Sequence, residues 1–162
     1  MRVFLFVVGF LIIILLGGTY MLATMSAGAG SALVGHWTGG LIDNGKATFS
    51  GDLMLYSNHH KFVINLNNKW QGIEVDGAWS LQAKQLFLTI DTVKLTNSAK
   101  ESIPNASLVF IEGDDIRNAY GKKLILNLSP DGQSLHGLPI GAGKFKGEHQ
   151  FTKAPVSSYI RK

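Results

Sequence analysis

Cysteine is missing from all 162 residues, and proline occurs only 4 times. With no thiol there is no disulfide framework and no cysteine-based zinc site, so an exported domain of this size is held by its core alone. Charge is sparse as well: none lies between Val3 and Ala23, and none follows until Asp43. Catalytic motifs are lacking. There is no Gly-x-Ser-x-Gly segment, and no Ser, His and Asp set stands out. Gly137-Leu-Pro-Ile-Gly-Ala-Gly143-Lys144 approaches a phosphate loop, but its first glycine is one residue too far away. Phe145 also stands where a magnesium-binding hydroxyl belongs. Gly141, Gly143 and Gly147 miss the dinucleotide spacing by one. These absences predict no enzyme, no cofactor and no resident metal.

What is present begins with a long apolar start, Val3-Phe-Leu-Phe-Val-Val-Gly-Phe-Leu-Ile-Ile-Ile-Leu-Leu, continuing past Gly17-Gly18 to Ala23. Roughly 20 apolar residues match the thickness of a bilayer core. Arg2 precedes them, so the positive-inside tendency leaves the N-terminus in the cytoplasm and exports the rest. A cleaved signal peptide is the competing reading, with Ala27-Gly28-Ala29 as the small-residue site a peptidase needs. Apolar character running on through Tyr20, Met21 and Leu22 favours the retained anchor. The short anchor and absent disulfides look bacterial, which predicts a single-pass inner-membrane protein with a periplasmic C-terminal domain, or a secreted one if the signal is cut.

Beyond the anchor about 130 residues remain, enough for one domain with a real core. Glycine is abundant at 19 residues, and Val, Ile, Phe, Leu and Thr recur in short runs, the profile of a turn-rich β domain. The expected divisions are an anchor or signal over 1–25, a flexible tether over 26–32, a barrel over 33–153 and a loose basic tail over 154–162. The formal charge of +4 gathers late: Arg117, Lys122, Lys123, Lys144, Lys146, Lys153, Arg161 and Lys162 face only Asp131 and Glu148. A basic region on a tethered domain suits a solvated face or anionic headgroups. Nucleic acid is not an expected partner outside the cytoplasm.

Strands follow from alternation. Leu33 to Leu41 reads as the first, and Asp43-Asn44-Gly45-Lys46 as a hairpin turn whose central pair tolerates positive φ. Phe49, Gly51, Leu53 and Leu55 share one face of the second strand; Phe62, Ile64 and Leu66 share one face of the third. Ile73, Val75, Gly77, Trp79 and Leu81 make the fourth, and Leu86, Leu88 and Ile90 return after Gln82–Gln85. Thr96 to Asn105 is a long polar loop, Ser107 to Ile111 a short strand, and Gly113 to Gly121 holds one helical turn. Leu124, Leu126 and Leu128, then Leu135 and Gly137, then Phe145, Gly147, His149 and Phe151 complete the strands. This rhythm predicts an all-β antiparallel meander closing into a small eight-stranded barrel, because closure removes aggregation-prone edges. Glycines inside strands mark its bends.

Gly35-His36-Trp37 and Gly77-Ala78-Trp79 are similar to the G-x-W of lipocalin-like, calycin-type barrels. Asp131-Gly132-Gln133-Ser134-Leu135-His136-Gly137, followed by Lys146-Gly147, resembles the closing hairpin of small bacterial domains of that kind. The resemblance implies an up-and-down barrel with a tryptophan at its closed end. It departs from the lipocalin pattern in having no disulfide and no evident C-terminal helix.

Trp37, Phe49, Trp70 and Trp79 are the candidate ligand-lining residues, set against plain core packing. His59-His60 reads as a solvated turn, and His149 as a partly buried histidine hydrogen-bonded in the core. Asp114-Asp115 reads as a helix start, since adjacent acids seldom converge. The expected function is a membrane-tethered interaction domain, an accessory or immunity-type subunit of a bacterial envelope complex with a protein partner there. The alternative is a lipocalin-like periplasmic carrier of a small apolar ligand.

Overall fold

The computed structural model describes residues 30–97 and 111–155. The anchor segment 1–25, most of the tether, the strand expected at 107–111 except Ile111, and the tail beyond Pro155 lie outside these residues. Among the described residues no helix is long and apolar enough to cross a membrane. Two compact units divide between Leu33 and Val34. In the first, residues 30–33 are helical. The second is a barrel.

Eight antiparallel strands form that barrel, each bonded to its neighbours in sequence and the last to the first. They are β1 (Gly35–Asp43), β2 (Lys46–Leu55), β3 (Lys61–Asn67) and β4 (Gln71–Gln82), then β5 (Gln85–Asn97), β6 (Lys123–Leu128), β7 (Ser134–Ala142) and β8 (Phe145–Lys153). Among the described residues, one helix, α1 (Gly113–Tyr120), lies between β5 and β6. The meander and its closure agree with the alternation in the sequence. Two boundaries move. β1 starts at Gly35 rather than Leu33, and β5 runs on to Asn97, which pairs with Gln71, so Thr96 belongs to a strand and not to the loop.

The chain enters the barrel at Gly35, and that end (the base) also carries the β2–β3, β4–β5 and β6–β7 turns. The opposite end, the mouth, carries the β1–β2, β3–β4 and β7–β8 turns and α1. At the β1–β2 turn Asn44 and Gly45 have φ of 49° and 76°, the paired positive values of a tight hairpin. Inward positions of period two form the buried core: Phe62, Ile64 and Leu66 on β3, Ile73, Val75 and Trp79 on β4. An eight-stranded barrel is just wide enough to be filled by side chains, and large ones such as Trp37, Phe49, Phe145 and Phe151 fill this one.

Closing so small a barrel demands bends, and bulges supply them. Asp76 pairs with Thr92 and Gly77 with Ile90, leaving Asp91 as the extra residue of β5. At that step a Cβ on Gly77 would lie 2.0 Å from the Thr89 carbonyl oxygen and 3.0 Å from the Phe62 ring, so only glycine fits. A second bulge sits in β7. His136 pairs with Gln150 and Pro139 with Glu148, so Gly137 and Leu138 together oppose His149. Pairing of β6 with β7 covers only Leu126–Leu128 against Leu135–Gly137, and Leu138 turns outward to become 56 % exposed. The barrel wall is therefore thinnest between β6 and β7, on the mouth side. α1 packs there against β7, β8 and β5.

Candidate functional site

The mouth beneath α1 and a groove on the outside of β3–β5 both hold polar chemistry. α1 forms where two acids, Asp114 and Asp115, occupy a first turn that favours negative charge. It stops at Gly121, whose φ of 56° and ψ of −137° suit glycine. The helix spans two turns rather than the expected one, and Arg117 Nη1 donates to Asp114 Oδ1 at 3.0 Å along it. Asp114 and Asp115 thus serve a helix start, as read from the sequence. Ile116 and Tyr120, four residues apart on one face, are its buried side chains.

Just ahead of α1, Gln71 at the start of β4 grips the backbone of Ile111. Its Nε2 donates to the Ile111 carbonyl at 2.8 Å, and its Oε1 accepts from the Ile111 N–H at 2.8 Å. Asn68 Oδ1 in turn accepts the backbone N–H groups of Trp70 and Gln71 at 2.8 and 2.7 Å, which fixes the start of β4. Gln71 is buried, and the amide clasp satisfies it as a strand neighbour would.

Under the helix, the Tyr120 ring lies 5.7 Å from Phe145 and 5.5 Å from the His149 imidazole, which stacks on Phe151 at 5.6 Å. His149 is wholly buried, and neither ring nitrogen makes a hydrogen bond; the Tyr120 hydroxyl is likewise buried and unbonded. This corrects the expectation of a partly buried, hydrogen-bonded histidine. Gly137, at the β7 bulge, offers it no side-chain partner, Leu41 stands opposite it on β1, and the Tyr120 and Phe151 rings pack against it. Burial alone pushes the His149 imidazole down to about 4 and the Tyr120 phenol well above its usual value.

The four residues named from the sequence do not meet in one place. Trp37 and Trp79 are buried toward the base, where the Trp79 Nε1–H donates to the Tyr56 carbonyl at 3.0 Å and the His60 ring packs edge-on at 4.9 Å. Phe49 is buried toward the mouth against Phe145, with centroids 5.7 Å apart. Trp70 is not brought to the interior with them. It sits half-exposed in the β3–β4 turn under Lys69 Nζ, 4.5 Å from the ring centroid.

The outer groove, about 490 Å³, runs past Tyr56, Lys61, Glu74, Asp76, Asp91 and Lys94. Lys94 Nζ contacts Glu74 Oε1 at 2.8 Å and Asp76 Oδ2 at 3.5 Å, and the Thr92 hydroxyl donates to Asp76. Hydrogen bonding to Glu74, ahead of the charges of Glu74 and Asp76, holds the Lys94 ammonium above its usual value. Tyr56 on the rim is 44 % exposed. His36 lies on the outer face, 2.7 Å from Asp52 Oδ1, and His59 and His60 stand exposed in a turn with φ of 53° and 50°. No group of three metal-ligating side chains occurs among the described residues. Sequence reading missed the Tyr120–His149 pair, because nothing local says that a helix will fold back over a strand some thirty residues later.

Comparison with protein-family models, curated proteins and solved structures finds no match.

Proposed function

We propose that this chain is a membrane-tethered, exported β-barrel interaction domain, an accessory or immunity-type subunit of a bacterial envelope complex. The observation that carries this reading is a barrel filled with its own side chains. Trp37, Leu41, Leu53, Ile64, Leu66 and Val75 are each 0 % exposed. With the interior occupied, recognition falls to the outside, where turns, the groove past Tyr56 and the protruding Leu138 are offered. The apolar run of residues 3–23 supports the tether, and Arg2 before it supports a periplasmic barrel.

A lipocalin-like carrier is the second reading, supported by the sequential eight-strand order and the two G-x-W segments. It requires ligand where Trp37, Phe49 and Trp79 are packed, which weighs against it. Affinity capture of the full-length protein from native membranes in mild detergent separates the two. A stoichiometric protein partner, with residues 1–23 still attached, is the expected result. A cleaved, partnerless protein carrying a lipid or other apolar molecule would overturn the interaction reading and establish the carrier.

A further inference from the structure

We propose that α1 is an acid-released lid with His149 as its trigger: when the imidazole takes up a proton, the helix leaves the mouth and uncovers Phe49 and Phe145. The geometry gives the charged ring nowhere to be stabilised while the lid is shut. α1 presents Tyr120 to it, β1 presents Leu41 as its strand partner, and β7 presents Gly137, whose Cβ position is 3.2 Å from that of His149. On its own strand stand Phe145 and Phe151. Among the described residues Tyr120 is the titratable side chain that packs against it, and its phenol stays neutral. Among the described residues no acid, lysine or arginine reaches His149 as an ion pair. The charged groups of the elements around it lie elsewhere: Asp114 and Arg117 pair with each other on α1, Asp43 faces Lys146, and His136 is exposed. An imidazolium at this position must be hydrated, and water has to enter.

α1 is the wall that yields most readily. Among the described residues every other wall is a strand of a closed sheet, so moving it breaks ladder hydrogen bonds; lifting α1 breaks none of these. The helix begins at Gly113 and is followed by Gly121, the latter with open space around its Cβ position. It is held by two buried side chains and, upstream, by the Gln71 clasp. One of those side chains, Tyr120, buries a hydroxyl without a hydrogen bond, so its release to water is partly compensated. Beneath the lid the apolar pair Phe49 and Phe145 becomes a surface that exists only in acid.

Hydrogen–deuterium exchange of the full-length protein in detergent micelles, from pH 7.5 to 4.5 and corrected for intrinsic rates, tests this. Peptides covering 113–121 are expected to lose at least tenfold protection and become exchange-competent between about pH 6 and 4.5 while β2–β4 peptides remain protected, and H149F is expected to hold α1 shut throughout. Full protection of α1 at pH 4.5, equal loss in H149F, or simultaneous exchange of the whole barrel would each overturn the lid. Should H149F fail to fold, H149L takes its place. The unaltered chain gives an independent readout: the imidazole NMR titration of His149 must share its midpoint with α1 opening, and separate midpoints overturn the proposal.

Discussion

At the scale of single residues, His149 is a costly choice for the core of this barrel. An imidazole at the core that makes no hydrogen bond is tolerated only while neutral, and burial holds its value down to about 4 against an ordinary 6.5. The sign follows from linkage: the folded state resists a proton that the unfolded state accepts. Stability is therefore full above about pH 6.5 and falls as pH drops toward about 4, by up to about 3 kcal/mol. Urea denaturation of the wild-type chain and H149F across that range should show the slope in the first and its absence in the second. Glycines divide by the same local logic. Gly77→Ala drives a Cβ into the Thr89 carbonyl and should cost about 3 kcal/mol. Gly132→Ala, with φ of 71° and nothing near its Cβ, should cost only about 1 kcal/mol. Denaturation midpoints of the pair give the comparison, and equal losses would contradict the crowding at Gly77.

Elements behave according to what pairs them. Hairpins β1–β2 and β4–β5 were readable because alternation and turn residues act over a few positions: Phe49, Leu53 and Leu55 occupy the buried face their spacing assigns, and Asn44-Gly45 makes the turn. α1 was readable as a helix but not as a lid. Its acids and its closing Gly121 are local signals, whereas its placement depends on Gln71 holding Ile111 across 40 positions of sequence. Replacing that side chain by a shape-matched apolar one tests the attachment. Gln71→Leu removes both hydrogen bonds to Ile111 and should loosen α1 locally by about 2 kcal/mol. Amide exchange over 113–121 should quicken at pH 7.5, and the midpoint for barrel unfolding should shift much less.

For the molecule as a whole, the filled interior is what decides how it can be used. The three tryptophans report on this directly, since Trp37 and Trp79 are buried and Trp70 is half-exposed. Iodide should quench only the Trp70 component of the fluorescence and leave the emission of Trp37 and Trp79 intact; T-shaped packing of His60 on Trp79 helps exclude the quencher. Apolar dyes added at neutral pH should not disturb the protected component. Quenching of all three, or displacement of Trp37 and Trp79 emission by a dye, would favour the carrier over the interaction domain.

The sequence by itself determined the all-β class, the strand faces and most turns, because period-two alternation and turn chemistry are local and repeat around the whole barrel. It also made Trp37, Phe49 and Trp79 large apolar side chains on inward faces, though not their separation between base and mouth. Only the tertiary structure decided that Trp70 stays outside, that β5 and β7 bulge at Asp91 and Gly137–Leu138, and that Tyr120 closes over His149. Those outcomes depend on how eight strands must bend to close a ring and on which distant side chain then covers its open end, and no window along the chain contains both partners.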